Sequence, residues 1–299
     1  MARHLRSRIH KDELYWRYAA NFKPSLTYHL FRPSLKDVQR DVLDSLRCNG
    51  IAITTVEDLG VQDAFNELDK AVWTLEANLS NTINQAREQV DASGFKTYLL
   101  ELLGLRPVLD PKDIFVRFGL QPVILSLVNS YFGMYVRLRS FNVWHNFPSG
   151  SPPRNSQLWH RDPEDRYIVK LFVYLTDATD GLGPLTYALG THGLGRIKSR
   201  PQASRAEGTG APRNTDEQAS VVVPKAKWLT TMGPKGTVVL ADTRGYHKAG
   251  LARDRERVLY TCMFTSQVSP YPEHFERKTP IPVYSDRALA FALAGEPTA

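Results

Sequence analysis

The chain has 299 residues, 42% hydrophobic and 23% charged, which suits a protein that buries a core and excludes disorder along its whole length. Its two cysteines, Cys48 and Cys262, form neither a disulfide framework nor a Cys/His zinc spacing, so a reduced, cytoplasmic protein is expected. The net charge of +7 is concentrated in residues 1–47, with ten Lys/Arg against five Asp/Glu, and in 191–235, with eight against three. Neither segment interleaves aromatic residues in the manner of single-strand binders, and no zinc finger is present. A solvated basic face or a site for a small anion is therefore expected, and no nucleic-acid partner.

No apolar stretch follows the basic start, and no run of eighteen uncharged apolar residues occurs, so neither a secretory signal nor a membrane span is expected. In chain order, 34–49 reads as a helix, with Ser34 as cap, Leu35, Val38, Val42, Leu43 and Leu46 at helical spacing, and Gly50 as terminator. A short strand, 51–53, follows, and then helices over 61–79 and 81–90. Residues 121–132 form a helix that is apolar all round and ends at Gly133, which predicts burial.

From 134 onward the pattern changes. The stretches 134–146, 168–176, 185–189, 237–241 and 257–265 are β-branched or aromatic runs separated by Gly, Pro and Asp, the signature of strands. Helices first and strands afterwards predict a helical layer, 1–133, on a β-sandwich or barrel, 134–268, within one domain that ends in a tail or helix over 269–299. Along 168–176, Val169, Leu171, Val173 and Leu175 make an aliphatic face that should pack on the helices. Lys170, Phe172, Tyr174 and Thr176 face the other way, toward a cavity. The stretch 191–218 is long, basic and rich in Gly, Ser, Pro and Arg, and a loop of that kind over 190–224 is expected to be a lid, the alternative being a disordered, solvated loop.

His160-Arg161-Asp162 is a His-x-Asp, as is His10-Lys11-Asp12. Only the former sits at the mouth of a strand, where an imidazole and a carboxylate can serve a site. His247, just after the strand 237–241, supplies a third ligand. Two imidazoles and a carboxylate on one face of an octahedral ion leave three positions open, as in non-haem iron(II) sites, although zinc accepts the same donors. Arg257, ten residues further on, falls by alternation on one face with Leu259, Thr261 and Met263. A guanidinium there needs a carboxylate, which either a ligand or one of the chain's own acids can provide.

These motifs resemble the phytanoyl-CoA dioxygenase family of iron(II)- and 2-oxoglutarate-dependent oxygenases. The likeness runs from Asn142 to Phe264 through Leu158-Trp159-His160-Arg161-Asp162, Leu175-Thr176-Asp177, Gly183-Pro184-Leu185, Gly190-Thr191-His192, His247 and Arg257. It implies a mainly β, jelly-roll (double-stranded β-helix, cupin-like) core with flanking helices. It also implies Fe(II) held by His160, Asp162 and His247, 2-oxoglutarate as co-substrate on Arg257 and Asn142, and O₂ as oxidant. The reaction so implied is hydroxylation of an unactivated C–H of a small molecule, with release of succinate and CO₂.

Relatives often carry a hydroxyl two residues after the distal His, where this chain has Ala249, so Lys170 is expected to replace that contact; the alternative is a lysine reaching to water. Arg166, Phe172, Tyr174 and Arg196 are expected on the substrate side, and the basic lid favours an anionic or carrier-linked substrate. His192 is expected to stabilise its turn, and His145 to lie at the surface or beside substrate. The other readings are a non-redox cupin-type metal-binding protein, a nucleic-acid demethylase, and the same oxidation giving desaturation, epoxidation or cyclisation.

Overall fold

The computed structural model describes residues 12–92, 94, 96–199, 201, 204–205, 212–278 and 282–295. The helices are α1 (Phe22–Leu30), α2 (Asp37–Asn49), α3 (Gln62–Asn78), α4 (Ser80–Glu88), α5 (Ile114–Arg117), α6 (Pro122–Phe132), α7 (Asp216–Ser220) and α8 (Arg287–Ala292). The strands are β1 (Ile51–Thr55), β2 (Leu99–Glu101), β3 (Arg137–Asn146), β4 (Val169–Tyr174), β5 (Thr186–Ala188), β6 (Ser204–Arg205), β7 (Pro212–Arg213), β8 (Trp228–Thr230), β9 (Thr237–Asp242), β10 (His247–Lys248) and β11 (Arg257–Thr265).

Six strands form an antiparallel sheet in the order β1-β9-β4-β11-β3-β2, and a smaller sheet has the order β10-β5-β8. Between them lie Phe172, Tyr174, Tyr187, Val239 and Leu259. The architecture is a jelly roll with flanking helices, as the family resemblance implies.

The two faces of β4 divide as the sequence requires. Val169, Leu171, Val173 and Leu175 are at most 1% exposed and belong to the cluster that also holds Leu43 and Leu46 of α2 and Leu125 and Val128 of α6. Each such side chain contributes about 1.5–3 kcal/mol of transfer free energy. The N-terminal part is not purely a helical layer, however. Its strands β1 and β2 close the two edges of the large sheet on β9 and β3. Helix α2 begins two residues later than the Ser34 cap suggests. The Lys36 N–H donates to the Gln39 side chain at 2.7 Å and closes the first turn from Lys36 instead.

Gly50 ends α2 with φ +84°. A Cβ there would lie 2.3 Å from the Tyr187 hydroxyl and 2.6 Å from the His192 ring, so only glycine lets the helix end approach the small sheet. His192 uses its Nε2 on the Arg47 carbonyl at 2.9 Å, tying its turn to the same helix end.

Candidate metal centre and adjoining cavity

His160 and His247 exchange both backbone hydrogen bonds at 3.0 Å, so they stand directly opposite each other in an antiparallel pair and project from the same face. Their ring centroids are 4.2 Å apart. Asp162 reaches them because its N–H donates to the Thr243 carbonyl at 2.9 Å, four residues before His247. Its Oδ1 lies 3.8 Å from His160 Nε2 and its Oδ2 3.7 Å from His247 Nε2. One potential ligand atom from each of the three residues lies within 4.8 Å of the other two.

The surrounding groups prepare these donors. His160 Nδ1 is 2.8 Å from the Leu158 carbonyl, and His247 Nδ1 is 3.1 Å from the Gly245 carbonyl. A carbonyl only accepts, so each Nδ1 carries the proton and each Nε2 offers its lone pair. Burial holds the His160 imidazole well below its usual 6.5, and the His247 ring acts in the same direction. Burial likewise lowers His247, against the pull of Asp162. For Asp162, burial alone would raise the carboxyl, but the Lys170 ammonium outweighs it and keeps it below the ordinary carboxylate range. The site thus presents two neutral imidazoles and a carboxylate, a donor set that fits a divalent metal.

Two residues past His247, Ala249 reaches a cavity also lined by Arg257, Asn146, Ser156, Tyr98, Phe172 and Tyr174. Arg257 is 4% exposed and has no acidic partner among the described residues. The contact its guanidinium does have is the Tyr174 ring, 5.9 Å away, and Nε is buried without a hydrogen bond. Burial lowers its pKa.

The structure places the other expected residues differently from one another. Phe172 and Tyr174 line the cavity. Asn142 does not: its amide donates to the Gly104 carbonyl at 2.8 Å and its oxygen accepts from the Leu103 and Val143 N–H groups, which fastens the turn after β2. Asn146, the ladder partner of Arg257, lines the cavity instead. Alternation puts Asn142 and Asn146 on the same face of β3, so periodicity alone did not choose between them.

Lys170, with its side chain 19% exposed, holds Nζ 2.7 Å from Asp162 Oδ2 and is not among the residues lining the cavity beside Ala249. Ser156 and Tyr98, whose hydroxyls are 2.8 Å apart, bring hydroxyls to the cavity beside Ala249; no pattern in the sequence marks them. Arg166 is paired with Glu13 at 3.2 Å, and Arg196 is exposed. His145 is not at the surface: it is buried between Glu76 at 2.6 Å and Glu256 at 2.8 Å.

His10 lies outside the described residues. So do residues 200, 202, 203 and 206–211 of the expected lid, whose described part is not a plain loop: β6 pairs with β7, and α7 follows. Burial and the neighbouring Asp162 push the Glu164 carboxyl up to about 7, and its Oε2 has no hydrogen bond among the described residues. Among the described residues no helix is long and apolar enough to cross a membrane.

Several solved structures share this fold. EctD from S. alaskensis with bound Fe aligns with a TM-score of 0.52 and 16% identity over 89% of this chain and 86% of that one. The epimerase SnoN, in complex with Fe3+, alpha ketoglutarate and nogalamycin RO, aligns with a TM-score of 0.51 and 14% identity over 79% and 86%. HygX from Streptomyces hygroscopicus, with nickel and 2-oxoglutarate bound, aligns with a TM-score of 0.51 and 16% identity over 81% and 90%. No protein-family model matches the chain, and no curated protein sequence does.

Proposed function

We propose that this chain is an iron(II)- and 2-oxoglutarate-dependent oxygenase acting on a small molecule, with His160, Asp162 and His247 as metal ligands. The observation that carries this reading is Arg257. A guanidinium buried in a cavity without an acidic partner is costly unless a ligand brings the carboxylate. The cavity begins two residues from His247, so a dicarboxylate could meet Arg257 at one end and the metal at the other. A redox-silent metal-binding barrel has no use for such a group. The bound partners of EctD, SnoN and HygX support the same assignment.

When bound, the iron and 2-oxoglutarate supply, with O₂, the oxidising power to functionalise an unactivated C–H, and succinate and CO₂ are released. The protein's own part is positioning and exclusion. The Leu158 and Gly245 carbonyls fix the imidazole tautomers, and Lys170 holds the second oxygen of Asp162. Ser156, Tyr98 and Asn146 offer polar contacts beside Arg257, while Phe172, Tyr174 and Trp144 keep water from the co-substrate. Hydroxylation is the outcome we propose. SnoN is an epimerase, so desaturation, epoxidation and cyclisation stand as variants of the same oxidation.

The test is anaerobic addition of Fe(II) and 2-oxoglutarate. A weak visible charge-transfer band should appear in the wild type and be lost in both Asp162→Ala and Arg257→Met. Metal binding without 2-oxoglutarate binding would instead favour the non-redox reading.

A further inference from the structure

Arg213 stands directly across from His160. Trp159 and Asn214 exchange both backbone hydrogen bonds, at 2.9 and 3.0 Å, as an antiparallel pair. The next rung sets Arg213 opposite His160 as a non-hydrogen-bonded pair, the kind in which side chains come closest and leave the same face. On its other side His160 is paired with His247. Arg213, His160 and His247 therefore occupy one row across three strand segments.

The backbone that bears Arg213 is pinned from both ends of the site. Asp216 accepts from the Trp159 indole at 2.7 Å and from Lys248 Nζ at 2.5 Å, so the segment bearing Arg213 is fastened to the residue before one histidine and the residue after the other. Thr215 caps α7 and fixes the chain between them. Burial lowers the pKa of Arg213, while Asp162, Tyr98 and Glu164 act on it in the opposite direction. Lys96, in the turn before β2, joins the group. Burial and Lys170 lower its pKa, and Glu101 and Asp162 oppose them.

The charged groups that act on one another at the metal centre are four cations, Arg213, Lys96, Lys170 and Arg244, and three acids, Asp162, Glu164 and Glu101. Once a metal takes the charge of Asp162, the balance is positive. We infer that the substrate carries an oxyanionic group, a carboxylate or a phosphate, received by Arg213, while the carbon to be oxidised faces the metal. This rests on the function proposed above and assigns its substrate class.

The experiment is calorimetric titration of the Ni(II)-loaded, 2-oxoglutarate-saturated protein at low ionic strength, with sulfate as the tetrahedral dianion and acetate as the carboxylate. Binding of 2-oxoglutarate is measured first in the same cell. Saturable 1:1 binding of one probe is expected, and which probe binds tighter identifies the phosphate or carboxylate class. Arg213→Met should raise its dissociation constant about tenfold or more, Arg213→Lys less, and exposed Lys227→Met not at all. Equal affinities in Arg213→Met and Lys227→Met, no saturable binding of either probe, or an effect of Arg213→Met on 2-oxoglutarate alone would overturn the inference. Failure of 2-oxoglutarate to bind would sink the oxygenase reading, and titration of the metal-free protein would still judge Arg213.

Discussion

Lys170 Nζ lies 2.7 Å from Oδ2 of Asp162, on the central strand β4 between β9 and β11. The lysine keeps a buried carboxylate ionised beside two neutral imidazoles. Before a metal binds, it is the main positive charge balancing Asp162.

Lys170→Met should therefore destabilise the metal-free protein by about 3 kcal/mol, the usual cost of leaving one member of a buried pair alone. Ni(II) should restore part of that loss, because the ion supplies the missing charge. Thermal melts with and without metal check this, and equal melting temperatures for variant and wild type without metal would refute it.

Arg257→Met should behave in the opposite way. Without ligand, the variant should be as stable as the wild type or more so, since a desolvated cation without an acidic partner is removed. Its affinity for 2-oxoglutarate should fall by about 2–3 kcal/mol through loss of a charge-assisted pair. Unchanged affinity would move the co-substrate's distal carboxylate elsewhere.

His160→Ala and His247→Ala should each abolish 2-oxoglutarate turnover and lower metal content measured by mass spectrometry. Far-ultraviolet circular dichroism should stay native, because the backbone pairing of His160 with His247 does not use their rings. Full metal occupancy in either variant would remove that residue from the ligand set.

The His145 bridge predicts a pH dependence of stability. Burial alone would lower the imidazole, but Glu76 and Glu256 outweigh it and raise it above 6.5. A group raised on folding stabilises fully below its unfolded value, and that contribution fades as pH rises through the folded value. Above it, neutral imidazole donates to only one of the two carboxylates. Urea unfolding should therefore show the difference between wild type and His145→Gln to be largest near pH 6 and smallest at alkaline pH. A difference that grows with pH would refute the bridge.

What the sequence determined by itself was local and periodic. The alternation along 168–176 assigned Phe172 and Tyr174 to the cavity and the aliphatic residues to the helical side, because a strand's period of two needs no partner to be read. The tight spacing of His160 and Asp162 was equally visible, and their context at a strand mouth separated them from His10 and Asp12. Tertiary structure alone decided which groups meet across the sheet. Strand register set Asn146, and not Asn142, beside Arg257. The depth of β4 in the sheet joined Lys170 to Asp162, and the pairing of Trp159 with Asn214 set Arg213 opposite His160. Helix α3 and the turn before β11 closed on His145 with two carboxylates. Each of these depends on contacts between segments distant in the chain, which register and packing select and single-strand periodicity does not encode.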